Sequence, residues 1–166
     1  ALSARGYTVA AAASRTLASA RTLAERVPGC VALPHPQDVA GACDLVFITT
    51  PDGAIPEVAA SIRWHAQQGV VHCSGASTLK VLEPARAQGA SVASIHPYQT
   101  FARIRDSRDA LARLQGVTFA IEGQGWLREV LEEMALGLGG RTIHVRPQDR
   151  PLYHATSVMS CGYLAA

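Results

Sequence analysis

The chain has a single lysine, Lys80, beside fourteen arginines, and these cations form no run. A formal net charge of +2 over 166 residues supplies no basic stripe of the kind that nucleic acid requires. No apolar run approaches the roughly 20 residues of a membrane-spanning helix, and no stretch pairs a basic start with an apolar centre as a secretory leader does. The four cysteines (Cys30, Cys43, Cys73 and Cys161) form no CxxC pair and no zinc spacing. Three fall in or beside apolar patterns, so free thiols in a reducing cytoplasm are expected. There is no Ser-His-Asp order, no convincing pair of carboxylates, no internal repeat and no low-complexity segment before about residue 146.

What is present reads as a folded α/β chain. Apolar residues make up 48% and charged residues 17%, outside the disordered range. The length suits one sizeable core, or one domain and part of another. The clearest element is the apolar run Leu45 to Thr49, which reads as a strand covered on both faces. It stops at Thr49-Thr50-Pro51-Asp52, and a helical period follows at Ile55, Val58, Ala59 and Ile62. Other strands are expected at Tyr7 to Ala13, Cys30 to Leu33, Gly69 to Cys73, Ala90 to Ile95, Gly116 to Ile121 and Arg141 to Val145. Helices are expected after Thr16, at about 53–66, at Thr78 to Ala87, at Trp126 to Leu138 and from Pro147. Pro34 to Gly41 reads as a loop with one helical turn, and Arg103 to Arg113 as a solvated loop or short helix. Alternating strands and helices predict βαβ units: a Rossmann-type, doubly wound, mostly parallel sheet over residues 1–146. Residues 147–166 read as the start of a helical second domain. Both ends look cut: Gly6 closes what reads as the last turn of a helix, and Leu164-Ala165-Ala166 falls within a helical pattern.

In such sheets ligands sit at the carboxyl ends of the strands, and the candidate residues cluster there. Ser14, Arg15 and Thr16 follow the first strand. An arginine at that place suits a ribose 2′-phosphate, where a carboxylate would hold a free 2′-hydroxyl. The same residues also suit a helix cap with a surface arginine. The glycine-rich turn GxGxxG that would cradle a pyrophosphate is not among these residues. Thr49, Thr50, Pro51 and Asp52 form the polar turn after the central strand. Ser74-Gly75-Ala76-Ser77 offers a hydroxyl and amides to a carboxylate or carbonyl, or else caps a turn. Lys80 reads as solvated. His96, stiffened by Pro97, suits a proton donor near neutral pH or a structural bond to a loop. His72 reads as a satisfied core histidine. His154, beside Tyr153, faces a cleft between domains or the seam of its own helix. His35, His65 and His144 join no constellation. A methyltransferase sheet fits less well, because it wants a carboxylate where Ser14 and Arg15 stand.

The ordered segments Gly-Tyr-Thr-Val…Ser-Arg-Thr, Asp-Leu-Val-Phe-Ile-Thr-Thr-Pro-Asp, Val-His-Cys-Ser-Gly-Ala and Ser-Ile-His-Pro-Tyr-Gln-Thr-Phe resemble one group. It comprises the Rossmann-like proteins with a helical C-terminal domain of unknown function, in the 6-phosphogluconate-dehydrogenase-like superfamily. Pyrroline-5-carboxylate reductase, prephenate dehydrogenase and the deazaflavin-dependent NADP reductases are its wider relatives. The resemblance spans essentially the whole chain. It implies an NADP cofactor at Ser14, Arg15 and Thr16, with nicotinamide-side contacts from Thr49, Thr50, Pro51 and Asp52. It places Ser74, His96 and His154 in catalytic roles and Gly75 and Ala76 against substrate. No metal is implied. The implied activity is an oxidoreductase acting on a small carbonyl, imine or hydroxy acid, in a homodimer formed through the helical domain. Gly162 stands where the group commonly has Asn, which leaves a non-catalytic NADP-binding sensor or scaffold as the alternative.

Overall fold

Short apolar runs make the strands. The computed structural model describes residues 1–101 and 106–160. Strands β1 (Ala11–Ala12) and β2 (Val31–Ala32) pair in parallel as a two-stranded sheet. A five-stranded sheet takes the order β3 (Leu45–Ile48), β4 (Gly69–His72), β5 (Ser91–Pro97), β6 (Thr118–Glu122) and β7 (Arg141–His144). β3, β4 and β5 run parallel, β6 is antiparallel to β5, and β7 is parallel to β6. The expected mostly parallel α/β architecture is present, with one reversal.

The helices are α1 (Leu17–Ala24), α2 (Pro36–Ala42), α3 (Ile55–Ser61), α4 (Glu83–Arg86), α5 (Ser107–Leu114), α6 (Gly125–Gly137) and α7 (Arg150–Val158). Local chemistry explains several boundaries. Thr16 Oγ1 accepts the Ser19 N–H at 3.2 Å and caps α1. Asp106 caps α5 by accepting the Arg108 and Asp109 N–H groups, each at 2.9 Å. Gly6, at φ +86°, closes a 3₁₀ turn over Ser3–Arg5 in the left-handed region.

Three elements differ from the sequence reading. The loop expected at Pro34 to Gly41 contains α2, in which Pro36 is accepted in the first turn and Ala40 is buried. The helix after β3 ends at Ser61, because Ile62 turns extended and is buried with Trp64, whose Nε1 donates to the Ala59 carbonyl at 2.7 Å. Thr78 to Ala87 is a 3₁₀ turn, Leu79–Leu82, followed by α4, with Pro84 in the first turn of that helix. Pro84 has no N–H to continue a ladder from the turn before it.

Alternation along the strands sends side chains to two apolar layers. Val71, Ala93, Ile95, Phe119 and Ile121 join Leu127, Leu131 and Ala135 of α6 on one face. Val46, Ile48 and Val70 join Ile55, Ala59, Leu82 and Ala85 on the other. Each fully buried leucine or isoleucine contributes about 1.5–3 kcal/mol. The second face changes character toward β6. Register places His72, Ser94 and Glu122 side by side on β4, β5 and β6. This polar row underlies the site.

Candidate functional site

The turn after β4 supplies the floor of the site. Ser74 is buried, and its hydroxyl donates to Asp52 Oδ2 at 2.6 Å. The same oxygen accepts the Ala76 and Ser77 N–H groups at 3.2 and 3.0 Å. The hydroxyl is therefore fully engaged, and it ties the Asp52 turn to the Gly75 turn. Asp52 is itself an exposed residue. The Ser74 N–H donates to His72 Nδ1 at 3.2 Å, which puts the proton of the neutral His72 ring on Nε2.

His96, near the end of β5, stands over the turn. A Cβ built on Gly75 would lie 2.9 Å from both His96 Cε1 and Nε2, and 3.1 Å from His154 Nδ1. Only glycine lets both imidazoles approach the turn this closely. His96 Nδ1 shares a hydrogen bond of 2.8 Å with the Tyr153 hydroxyl, and the two rings meet edge to face. The Tyr98 hydroxyl donates to the Thr156 carbonyl at 2.9 Å and also meets the Ser160 hydroxyl. Helix α7 is thus fastened to the end of β5. Burial and the nearby Arg150 charge bring His72 down to about 4 from its ordinary 6.5, against smaller opposing effects of Asp52 and of the Thr78 backbone. Burial, then Arg150, then His154 bring His96 down to about 4 as well. Both rings are neutral at pH 7.

Four buried side-chain polar atoms among the described residues lack a hydrogen-bond partner. Three are Thr50 Oγ1, His72 Nε2 and His154 Nδ1, on or next to these turns. The fourth, Glu132 Oε1, lies in ion pairs with Arg128 and His144. Orphaned polar atoms are rare in folded interiors, and ligand sites are among the places where they persist.

Of the residues singled out from sequence, the structure gathers Asp52, Ser74, Gly75, His96 and His154 at one edge, with Ala76 in the same turn. Ser14, Arg15 and Thr16 follow β1 in the smaller sheet and are exposed; Thr16 serves as the α1 cap. Thr49, Thr50 and Pro51 follow β3. Gly162 and Cys161 lie outside the described residues. Cys30, Cys43 and Cys73 are free, and burial raises the Cys73 thiol to about 11. Among the described residues no helix is long and apolar enough to cross a membrane, and no cluster could hold a metal. A groove of about 860 Å³, lined in part by Lys80, Arg86, Arg128 and Arg146, contains none of these candidate residues. Its arginines are paired, with Glu83, Glu132 and Asp149 respectively.

Sequence reasoning missed Arg150 and Glu122. Arg150 is wholly buried, yet only the three-residue step from Arg150 to Tyr153 marked it as sharing a helical face with the site. Glu122 at a strand end gave no signal.

Residues 1–97 match the family model described as "Rossmann-like domain". Residues 117–166 match a domain of unknown function, DUF2520. None of the curated proteins matches the chain. Among solved structures, protein TM1727 from Thermotoga maritima is 25% identical at a TM-score of 0.67, covering 92% of this chain and 56% of that one. BF3122 from Bacteroides fragilis, described as a candidate NADP oxidoreductase, is 23% identical at a TM-score of 0.77, covering 99% and 61%. A pyrroline-5-carboxylate reductase from Streptococcus pyogenes is 18% identical at a TM-score of 0.67, covering 93% and 56%. The chain spans little more than half the length of these solved chains. The expected pairing of a Rossmann-like domain with a C-terminal domain of unknown function stands, and with more than half of its residues inside the match, the chain belongs to the Rossmann-like domain family.

Proposed function

We propose that this chain carries the cofactor-binding part of an NADP-dependent oxidoreductase, which passes a hydride between the nicotinamide and a small carbonyl, imine or hydroxy acid. The observation that carries this reading is the gathering of Asp52, Ser74, Gly75, a neutral His96 and His154 at one edge, with Thr50 Oγ1 and His154 Nδ1 left without a hydrogen-bond partner. They converge at the carboxyl ends of parallel strands, where open α/β sheets take their ligands. The fold shared with BF3122 and with a pyrroline-5-carboxylate reductase supports the same class.

The residues present fit the cofactor. Arg15 is exposed beside Ser14 and can grip a 2′-phosphate with its planar fork. Thr49, Thr50, Pro51 and Asp52 form the turn for the nicotinamide end, and Thr50 Oγ1 is a buried acceptor and donor in want of a partner. When bound, NADPH supplies the hydride. The chain's own residues do the rest. Ser74 holds Asp52 in place through its 2.6 Å bond. In the tautomer where the Tyr153 hydroxyl donates to Nδ1, the neutral His96 ring carries its proton on Nε2, on the side of Gly75. It offers a hydrogen bond to a substrate oxygen or nitrogen without a positive charge. His154 adds a second unengaged ring nitrogen, and Gly75 and Ala76 leave room for a small substrate. A homodimer formed through the helical C-terminal region, in the cytoplasm, belongs to this reading.

Calorimetry with NADPH and NADH on the full chain tests it. Saturable NADPH binding is expected, and Arg15→Ala should weaken NADPH at least tenfold while barely affecting NADH. An absence of NADPH binding would overturn the proposal. NADPH binding without turnover of any keto acid or imine would turn it into a sensor.

A further inference from the structure

We propose that Arg150 is the positioning residue of this site: its buried fork ties the Ser74–Gly75 carbonyls to Ser94 and Glu122 and so fixes where Ser74, Asp52 and His96 stand. The inference rests on the oxidoreductase reading only for what the site does. Its geometry stands apart.

Arg150 opens α7 and is 0% exposed. Its Nη1 donates to the Ser74 carbonyl at 3.2 Å and to the Gly75 carbonyl at 3.5 Å. Its Nε donates to Glu122 Oε2 at 3.1 Å, and its Nη2 to the Ser94 hydroxyl. One planar group thus binds the turn after β4, the middle of β5 and the end of β6. A lysine ammonium is a single point and cannot span these partners. The carbonyls it holds belong to Ser74 itself and to the residue after it, and the Ser74 hydroxyl holds Asp52. Three residues on, Tyr153 holds His96. One helical turn of α7 therefore clamps both sides of the site.

The charge has a second consequence. Arg150, His154 and Asp52 act on the His96 ring, with Tyr153 bonded to it; Arg150 and Asp52 act on His72. Arg150 opposes protonation of both rings, while Glu122 offsets part of its charge. Fork and charge are separable by substitution. Arg150→Lys keeps the charge and loses the span. Arg150→Met loses both. Glu122→Gln leaves Arg150 in place with its charge less neutralised.

The test is made on the full chain by NMR, reading histidine titration and amide exchange together. In Arg150→Lys the Ala76 and Ser77 amides should exchange at least tenfold faster, while Val70 and Val71 of β4 keep their protection. The His72 and His96 midpoints should stay low. In Arg150→Met those midpoints should rise by about one unit; in Glu122→Gln they should not rise. If Arg150→Met does not fold, Arg150→Lys and Glu122→Gln decide the matter. Unchanged protection at Ala76 and Ser77 in Arg150→Lys would overturn the proposal. So would an equal loss at Val70 and Val71, which would mark a general loss of stability. Failure of the unsubstituted chain to bind NADPH would remove the oxidoreductase reading and leave the clamp standing.

Discussion

Gly75 lies under two imidazoles with no space for a methyl group. Gly75→Ala would bring a Cβ to 2.9 Å from His96 and must push that ring off its bond to Tyr153. Overpacking of this kind costs about 1–3 kcal/mol. We expect a loss of that size in denaturant unfolding, together with a shifted His96 resonance. Ser74→Ala acts differently. It leaves the Ala76 and Ser77 N–H groups and Asp52 without their shared partner. The expected cost is about 1–3 kcal/mol, read from the urea midpoint at constant slope.

The two neutral histidines also set the acid response. His72 and His96 sit at about 4 in the fold against 6.5 when free. Between these values the unfolded chain binds more protons than the folded one, so stability is full above pH 6.5 and falls as pH drops toward 4. The loss should be on the order of 1–2 kcal/mol per histidine by pH 5. Thermal unfolding of the wild type from pH 7 to 4.5 should show it, and His72→Gln should lessen the slope. A midpoint that does not change over that range would contradict the neutral-imidazole picture.

At the residue scale, His96, His154, Ser74 and Gly75 were legible because each follows a strand pattern or sits on a recognisable helix face. Arg150 was not legible as a site residue, since its partners Glu122 and Ser74 lie 28 and 76 positions away in sequence. Nothing local distinguishes a buried arginine from a solvated one.

Among the elements, α6 and α7 divide the labour. α6 is structural: Leu127, Leu131 and Ala135 are fully buried against one face of the sheet. Leu131→Ala should cost about 2–5 kcal/mol and leave the His96 titration unchanged. α7 instead presents polar groups to the candidate site, through Arg150, Tyr153 and His154 at positions i, i+3 and i+4. The stripe of α6 was readable from its apolar period. The break of the Thr78 to Ala87 helix into a 3₁₀ turn and α4 was not read, although Pro84 marked it. α2 was read only as one helical turn within a loop, because a seven-residue helix with one buried alanine shows little periodicity.

Across the whole molecule, the doubly wound architecture followed from alternating apolar strands and amphipathic helices, and it is what brings distant turns to one edge. The antiparallel β5–β6 pair was not legible, because strand direction is set by how the connection packs and not by the strand's own residues. The central claim is that this edge takes the nicotinamide end of NADP, and amide chemical shifts during an NADPH titration of the full chain test it most directly. We predict saturable shifts at Ser14 to Thr16, at Thr49 to Asp52 and at Ser74 to Ala76, with the His96 ring moving in step. Shifts confined to other surfaces, or none that saturate, would contradict it.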